Sequence, residues 1–450
     1  MDIIQPSILP GFMELLPQEQ VLFDQVKETI ERTYRRYGYW PLDTPAIEKN
    51  EILFAKGGGE TTKQIFRIEK GENASEQSLR FDLTVPLARY VAQHQSELSF
   101  PFRRYHIAKV YRGERNQRGR YREFYQADID VIGLDHLSII NDAEVPAAIY
   151  DIFSEIGIPG VRVHINHRGL MNGFYTSIGV EDVQSVLHAV DKLGKVGADV
   201  LKEMLEDEGL DAEQIERIFA FIGVTDARGA EERLQAIAEA MPEDAPGADL
   251  FRQGYSDLMT IKKAMHGFGM PEEAVVVDLA ITRGLDYYTG VVYETFIDGY
   301  ESLGSVASGG RYDNLASNFS KQHMPGVGIS IGLTRLFFQL REANLIAPEQ
   351  QGYIDAIVIA MSDEEVPQTV ALTRHLRDAG IVAQAYTEAG KLKKKFSYAD
   401  AVKAQYTLII GESERQEQTV SVKNMATGVQ ETLPWDDAID AIRRGKEENA

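Results

Sequence analysis

Residues 120–130 restrict the fold of this chain more than any other segment, because their side chains alternate in type along the sequence. In a β-strand, every second side chain points to the same face of the sheet. As a strand, this segment would place six side chains on one face: Arg120, Arg122, Phe124, Gln126, Asp128 and Asp130. Such a face is a poor apolar core. It could bind a polyanion at its arginine end and a polar ligand at its carboxylate end, or it could be a surface strand with solvated ion pairs.

The residues before this segment predict the strand that pairs with it. We expect residues 105–112 and 120–132 to form paired strands, connected by a polar loop over residues 114–119. Arg112 and Glu114 would share one face of the first strand. Three side chains further upstream alternate in the same way, which extends the predicted strand character toward them: Arg80, Asp82 and Thr84.

Two glycine-punctuated segments far along the chain carry polar side chains. Residues 282–290 combine Arg283 with Tyr287 and Tyr288 between glycines, which suits a site where backbone approaches a ligand closely. Residues 326–335 predict a strand that runs into a helix with Arg335 in its first turn, where the helix dipole and a guanidinium suit phosphate oxygens. An aromatic-rich turn and a solvent-exposed arginine are the ordinary structural readings of the two segments.

The pattern along the chain predicts a discontinuous organisation. Residues 1–180 and 268–343 mix strands with helices, and the stretch between them, residues 181–267, is helical and acidic. Residues 344–352 have the composition of a linker. Residues 353–450 alternate strand and helix, which is typical of a small α/β domain with a mixed sheet.

Composition excludes several classes of site. The absence of cysteine rules out disulfides, Cys-based zinc sites and a thiol nucleophile, and no histidine and carboxylate cluster has metal-ligand spacing, so no metal site is predicted. No stretch has the length of a membrane span, and no signal peptide is visible, so we expect a cytoplasmic protein. The net charge of −22 argues against a nucleic-acid partner overall, but the local distribution of charge decides, and residues 391–395 are lysine-rich.

Six motifs, in this order, resemble those of histidyl-tRNA synthetases, which are class II aminoacyl-tRNA synthetases. They are LRFDLTVP (79–86), YRGER (111–115), GRYREFYQ (119–126), RGLDYYTG (283–290), GGRYD (309–313) and GLTRL (332–336). The resemblance covers nearly the whole chain. It implies an α+β fold in which an antiparallel sheet is flanked by helices, with a helical insertion and a C-terminal α/β anticodon-binding domain.

The resemblance also implies a reaction. L-Histidine and ATP, with Mg²⁺, would form histidyl-adenylate and pyrophosphate, and the histidyl group would then move to the 3′-terminal adenosine of tRNA(His). The family resemblance further implies a homodimer.

By the same resemblance, particular residues take particular roles. Three arginines would be catalytic: Arg112, Arg283 and Arg335. The histidine site would comprise Asp82, Thr84, Arg112, Gln126, Asp130, Arg283, Tyr287, Tyr288 and Tyr312. ATP would meet Arg112, Glu114, Phe124 and Arg335. The tRNA would meet Arg115, Gln117, Arg118, Lys393, Lys394 and Lys395.

The sequence departs from the family pattern at a few positions. Asp82 and Asp130 stand where many bacterial members have glutamate, Thr334 replaces a common glutamate, and Ser308 replaces Ala or Gly. Two alternatives stay open. One is the histidine-sensing, synthetase-like regulatory subunit of ATP phosphoribosyltransferase, and the other is an enzyme that passes histidyl-adenylate to an acceptor other than tRNA.

Overall fold

A computed structural model describes residues 3–55, 61–70, 73–114, 119–223, 229–282, 288–314, 316–347 and 352–447. The chain forms two compact units. The first comprises residues 1–14 and 25–346, and the second comprises residues 15–24 and 347–450. Among the described residues, no helix is both long enough and apolar enough to cross a membrane.

The helices of the described chain are α1 (Pro17–Arg36), α2 (Asn50–Leu53), α3 (Thr61–Gln64), α4 (Thr84–Gln93), α5 (Asn141–Ile156), α6 (Arg168–Ser177), α7 (Val183–Val190), α8 (Leu193–Val196), α9 (Ala198–Asp207), α10 (Ala212–Ile222), α11 (Ala230–Ala240), α12 (Ala248–Gly267), α13 (Leu333–Glu342), α14 (Val366–Asp378), α15 (Leu392–Ala401), α16 (Glu412–Glu417) and α17 (Trp435–Glu447).

The strands are β1 (Trp40–Pro41), β2 (Ile47–Lys49), β3 (Arg67–Lys70), β4 (Asn73–Leu79), β5 (Phe102–Tyr111), β6 (Glu123–Ile132), β7 (Val161–His167), β8 (Val275–Val277), β9 (Val291–Ile297), β10 (Ala307–Tyr312), β11 (Gly326–Ile331), β12 (Ala356–Ala360), β13 (Ala383–Tyr386), β14 (Tyr406–Ile410), β15 (Thr419–Asn424) and β16 (Gln430–Pro434).

The large sheet of the first unit has the strand order β1-β5-β6-β11-β10-β9-β7-β8. From β5 to β7 every neighbouring pair is antiparallel, and the two edge strands β1 and β8 run parallel to their neighbours. The predicted antiparallel sheet is therefore confirmed, with parallel strands added at both edges. A small antiparallel sheet, β2-β4-β3, lies outside it and was not predicted.

One face of the large sheet packs against helices. The Tyr34 ring of α1 lies 5.9 Å from the Tyr105 ring of β5, and its hydroxyl donates to the Ala127 carbonyl. The Tyr293 hydroxyl of β9 donates to the Asp142 carbonyl of α5, 2.5 Å away. Since α1 and α5 cover this face, polar side chains of the sheet collect on the opposite face.

The predicted strand through Arg80, Asp82 and Thr84 is wrong. Strand β4 ends at Leu79, residues 80–83 form a turn, and α4 begins at Thr84. Arg80 is buried and donates to the carbonyls of Lys109 and Thr44, at 2.9 and 2.5 Å. These bonds fix the turn, because a buried guanidinium must find acceptors.

The predicted pairing of residues 105–112 with 120–132 is confirmed, although β5 begins three residues earlier and β6 three residues later than predicted. Strands β5 and β6 pair in antiparallel register from Phe102 opposite Ile132 to Tyr111 opposite Glu123. Arg120 and Arg122 lie before β6 begins, so the alternation holds only from Phe124 onward. Helices α7–α12 occupy much of residues 183–267, and the boundaries proposed for a separate insertion domain stay a prediction.

The second unit contains the sheet β13-β12-β14-β15-β16, parallel across its first three strands and antiparallel across its last two pairs. Apolar side chains of β12, β14, α14 and α17 form its core, including Val358, Leu372, Leu408 and Ile442. The predicted mixed α/β sheet is confirmed here. The short helix α16 was not predicted.

Candidate active site

The register of the large sheet gathers buried polar side chains on one face. Arg104 and His106 of β5 stand opposite Asp130 and Asp128 of β6, and Asp128 also stands opposite Ser330 of β11. We call this set the polar face; its members are Arg104, His106, Gln126, Asp128, Asp130 and Ser330.

An open cleft of about 570 Å³ lies over the polar face. Most of the predicted ligand residues in the described part of the first unit line it: Asp82, Thr84, Arg112, Glu114, Phe124, Gln126, Tyr288 and Arg335. These side chains come from the turn before α4, the end of β5, β6, the approach to β9 and the first turn of α13. The fold therefore brings into one cleft residues that are up to about 250 positions apart in sequence.

Asp130 and Tyr312 lie deeper than the lining side chains. The Tyr312 hydroxyl donates to Asp130 Oδ1 at 2.7 Å, and Arg104 Nη2 lies 2.6 Å from Asp130 Oδ2. The Arg104 side chain is fully buried, and none of its three guanidinium nitrogens makes an aligned hydrogen bond among the described residues. The ion pair is close but off the hydrogen-bond direction, so it neutralises charge without satisfying the donors.

A hydrogen-bond chain crosses the floor of the cleft. Gln126 Nε2 donates to Ser330 Oγ at 2.7 Å, and Ser330 Oγ donates to Asp128 Oδ1 at 2.5 Å. Gln126 and Asp128 are both buried. The chain fixes the Gln126 amide, whose oxygen lies 3.5 Å from Arg112 Nη2.

Asp82 and Thr84 reach the cleft from a helix start and not from a strand face. Asp82 Oδ1 accepts from the Val85 backbone N–H at 3.0 Å, in the first turn of α4. An acidic side chain at this position also suits the positive end of the helix dipole. The correction changes how these two residues are held, while both still line the cleft.

Arg112 is held from behind. Its Nε donates to the Phe81 carbonyl at 3.0 Å, and its guanidinium lies 5.0 Å from the centre of the Phe124 ring. One backbone acceptor and one aromatic face thus orient the charge, and the remaining donors face the cleft. An arginine held in this way is a fixed positive charge.

The other two arginines of the sequence motif are held differently. Arg120 is exposed, lines the cleft and pairs with Glu114 at 2.9 Å. Arg122 Nε donates to the Glu114 carbonyl at 3.1 Å, and its side chain packs against Gly11. The prediction that both arginines share a strand face with Phe124 is therefore wrong, because Arg120 and Arg122 precede β6 and do not follow its alternation.

Arg335 lies in the first turn of α13, as the sequence predicts, and its side chain is exposed. Its Nη2 donates to the Leu303 carbonyl at 3.0 Å. The neighbouring Thr334 is buried and its hydroxyl accepts from the Tyr125 backbone N–H at 2.9 Å. A threonine at this position thus joins α13 to the start of β6.

Two glycines leave room for site side chains. A Cβ on Gly328 would stand 2.1 Å from Asp130 Oδ1, and a Cβ on Gly310 would stand 3.0 Å from the Tyr288 ring. The backbone of β10 and β11 therefore serves as the surface against which these side chains lie.

Burial perturbs the titration of the polar face. Burial raises the pKa of the Asp82 and Asp130 carboxyls, and it raises the pKa of Asp128 to about 7, with Arg104 opposing the rise. Burial and the nearby Arg104 and Arg80 charges lower the pKa of His106 to about 3, so its imidazole is neutral. Crowded carboxylates favour a ligand that brings positive charge.

Several predicted residues lie outside the described part of the chain. They are Arg115, Gln117, Arg118, Arg283 and Tyr287. Residues 57–59, three consecutive glycines that the sequence predicts to form a loop, also lie outside the described residues.

The lysine-rich segment in the second unit divides into two kinds of residue. Lys393 and Lys394 are exposed on the first turn of α15. Lys395 is buried, and its Nζ donates to the Ala360 carbonyl at 2.6 Å at the end of β12. Its ammonium therefore faces inward, away from any partner that approaches the surface.

Sequence reasoning missed four members of the polar face as site residues. Asp128 was placed on the right face but given no role, and Arg104, His106 and Ser330 were not singled out. Alternation on β5 and β11 would indicate them only once the register with β6 is known, because opposed residues of paired strands share a face.

Comparisons with known proteins show the family of this chain. A family model described as Histidyl-tRNA synthetase matches residues 11–336, and a model described as Anticodon binding domain matches residues 355–445. A histidine–tRNA ligase from Clostridium tetani is 49% identical, over 98% of this chain and 99% of the relative.

Solved structures agree in fold. A histidyl-tRNA synthetase from Nostoc sp. PCC 7120 superposes with a TM-score of 0.89 and 37% identity, covering 98% of this chain and 100% of that one. A structure described as an ATP phosphoribosyltransferase regulatory subunit/histidyl-tRNA synthetase from Bacillus halodurans has a TM-score of 0.74 at 20% identity, covering 91% of this chain and 100% of that one, which shows a common fold alone. With the near-full-length match to the Clostridium tetani relative and the family model over most of the first unit, the chain belongs to the histidyl-tRNA synthetase family.

Proposed function

We propose that this chain ligates L-histidine to tRNA(His) with ATP, through a histidyl-adenylate formed in the cleft. The observation that supports the proposal is that one cleft contains both arginines and acidic or amide side chains. Arg112 and Arg335 line the cleft beside Gln126, and Asp130 lies beneath it. Positive groups that can bind phosphates thus lie beside polar and negative groups that can bind histidine, as adenylation of this amino acid requires.

The first step joins two anions. The histidine carboxylate attacks the α-phosphorus of ATP, the bond to pyrophosphate breaks, and charge accumulates on the phosphate oxygens. Fixed positive charges lower that barrier without reorganising. We assign Arg112 to the α-phosphate and the carboxylate, Arg335 to the γ-phosphate end, and Arg283 to the α-phosphate region. Phe124 and Glu114 would meet the adenine.

Mg²⁺ would enter with ATP as its counterion. Among the described residues, no group of three or more carboxylates or histidines could cage a metal ion. That composition suits Mg²⁺, which commonly keeps several waters and is held by substrate phosphates with few protein ligands.

Histidine recognition would use the acidic part of the cleft. Asp82, Thr84 and Gln126 would hold the α-ammonium; that they line the cleft together supports this assignment. Asp130 would accept from the imidazole, and Tyr312 fixes the Asp130 carboxylate by its 2.7 Å hydrogen bond. Tyr287 and Tyr288 would complete the ring pocket. A site that satisfies both imidazole nitrogens discriminates strongly against side chains that lack them.

For the tRNA, we propose contacts at Lys393 and Lys394, whose ammonium groups are exposed, together with Arg115, Gln117 and Arg118. The burial of Lys395 removes it from this set. Because tRNA is the acceptor, we expect the protein to work in the cytoplasm, and the family resemblance leads us to expect a homodimer.

The experiment is histidine-dependent exchange of labelled pyrophosphate into ATP. We expect exchange with histidine and Mg²⁺, and none when histidine is replaced by another amino acid. Binding of histidine without exchange, at saturating ATP, would contradict adenylation and favour the regulatory alternative.

Aminoacylation of a tRNA(His) transcript then tests the acceptor. We expect the transcript to be charged with histidine, whereas a transcript for another amino acid should stay uncharged. Exchange without charging would indicate an adenylate-forming enzyme with a different acceptor.

A further inference from the structure

Asp128 and Ser330 lie below Gln126 and have no role in the mechanism above. Their hydrogen bonds have a defined direction. An ionised carboxylate can only accept, so the Ser330 hydroxyl must donate to Asp128 Oδ1, 2.5 Å away. The serine oxygen is then left to accept, and it accepts from Gln126 Nε2 at 2.7 Å.

This direction determines which end of the Gln126 amide faces the cleft. With its nitrogen bound to Ser330, the amide presents its oxygen toward Arg112, 3.5 Å from Nη2. An oxygen can accept a hydrogen bond from a substrate ammonium, whereas a flipped amide would present N–H groups that repel it. The amide is buried, so water offers little competition for either end.

We propose that Asp128 and Ser330 are positioning residues for histidine binding: through the hydrogen-bond chain they hold the Gln126 amide with its oxygen toward the substrate's α-ammonium. The inference rests on the proposed function, and it adds two residues that act through Gln126: Asp128, which is buried beneath the cleft, and Ser330, which lines it.

The surroundings of Asp128 make the hydrogen-bond chain sensitive to protonation of the Asp128 carboxylate. Arg104 and His106 face Asp128 from β5, Asp130 from the same strand, Ser330 from β11 and Asp82 from the turn before α4, while Tyr34 approaches from α1. Burial raises the pKa of Asp128 to about 7. A protonated Asp128 can donate to Ser330, which would free the serine proton to point at Gln126 and would allow the amide to flip.

Ser330→Ala tests the hydrogen-bond chain, because it removes the hydroxyl with only a small change in side-chain volume. Removing the hydroxyl leaves the Gln126 N–H without its acceptor, so we expect KM for histidine in pyrophosphate exchange to rise about tenfold, the cost of one buried hydrogen bond. KM for ATP should rise clearly less than KM for histidine, because the hydrogen-bond chain meets the phosphate side only through the long, 3.5 Å contact between the Gln126 oxygen and Arg112 Nη2. Ser330→Thr, which keeps the hydroxyl, should restore much of the histidine affinity.

Ser421→Ala is the matched control. Like the partly buried Ser330, the buried Ser421 is a strand serine whose hydroxyl donates to a carboxylate, that of Glu414 at 3.0 Å, but it lies in the second unit. Its loss should leave both KM values unchanged in an assay that needs no tRNA. Equal effects of Ser330→Ala and Ser421→Ala, or a rise in the KM for ATP that matches the rise for histidine, would overturn the inference.

The pH dependence of histidine affinity in Asp128→Asn is a measurement that would not change if Asp128 served only in packing. An asparagine can either donate or accept, so the direction of the chain is no longer set by pH. Between about pH 6 and pH 8, we expect histidine affinity measured by calorimetry to rise more in the wild type than in the variant. The ionisation of free histidine is common to both proteins and cancels in that comparison.

Identical pH profiles for the wild type and Asp128→Asn would contradict the inference. Calorimetry also separates the two levels of the proposal. If the wild type binds histidine but shows no exchange, the proposed function fails, whereas the binding data on the variants still decide whether the chain positions Gln126.

Discussion

Two buried arginine–carboxylate pairs lie on opposite faces of the same sheet, and they are built differently. On the helix-covered face, Arg311 of β10 binds Asp142 of α5 through two hydrogen bonds, at 2.7 and 2.6 Å. Arg311 also donates to the carbonyls of Leu137 and Ser138, both at 3.2 Å.

On the polar face, Arg104 and Asp130 are in contact at 2.6 Å, but the guanidinium makes no aligned hydrogen bond among the described residues. Asp130 also shares its surroundings with the carboxyls of Asp128 and Asp82. The Arg311 pair is therefore saturated with partners, whereas the Arg104 pair leaves donors unsatisfied and carboxylates crowded. Buried polar groups that lack hydrogen-bond partners or an opposite charge destabilise the folded state. They are concentrated at sites where a bound ligand supplies the missing partner.

The saturated pair should dominate stability. Arg311→Ala leaves Asp142 buried without its cation, and breaking a buried pair in this way typically costs about 3–5 kcal/mol of unfolding free energy. Native-state hydrogen exchange of the β10 and β11 amides measures the loss within the first unit.

The loss should be smaller in acid. Burial raises the pKa of Asp142 to about 6 even with Arg311 opposing the rise, so without Arg311 the carboxyl takes up a proton more readily still. Arg162→Ala is the control, because Arg162 and Asp298 form an exposed pair whose loss should cost about 0–1 kcal/mol. Equal losses for Arg311→Ala and Arg162→Ala would show that saturation of the buried pair contributes nothing.

The unsaturated pair should matter for substrate instead. Asp130→Asn keeps the size of the side chain but removes the charge that would accept from the imidazole. Since a hydrogen bond to a charged group contributes about 1.5–3 kcal/mol, kcat/KM for histidine should fall by about 100-fold in pyrophosphate exchange.

Asp142→Asn is the matched control on the other face. It should lower stability while leaving KM for histidine within about twofold of the wild-type value. If the two variants lower kcat/KM equally, the division between a stability pair and a substrate pair is wrong.

The sequence predicts which side chains share the polar face of β6 better than it predicts their partners on neighbouring strands. Alternation places Gln126, Asp128 and Asp130 on one face, because strand periodicity is a local property. The pairing of Arg104 with Asp130 depends on the register between β5 and β6, which alternation alone does not set. For that reason the cation beneath the site was not anticipated.

Elsewhere, local signals conflicted. Asp82 and Thr84 alternate like a strand, but Asp82 caps a helix start, and the tertiary contacts of Arg80 decide between the two. Lys395 looks like part of a surface lysine run. It lies three residues after Leu392 and four before Ala399, so helical periodicity turns it toward the core of the second unit.

The smallest expected effect concerns Asp128 and the pH dependence of stability. Burial raises the pKa of its carboxyl from 3.8 to about 7 in the folded protein. Between these two values the folded state binds the proton more tightly than the unfolded state does. Stability from this group is therefore complete below about pH 4 and is lost as pH rises toward 7.

Asp128→Asn removes that loss. The variant should match the wild type in stability near pH 4 and exceed it above about pH 7, by about 1–4 kcal/mol, the range seen when buried charges are replaced. Thermal unfolding across this pH range measures the difference in stability, and hydrogen exchange of the β6 amides measures it locally. A variant that is more stable yet binds histidine less well would show that the polar face keeps a buried charge at the expense of folding, in contrast to the saturated pair. A variant that is less stable at every pH would mean that Asp128 stabilises the sheet as Asp142 does. The contrast between a stabilising face and a substrate-binding face would then apply to Asp130 alone.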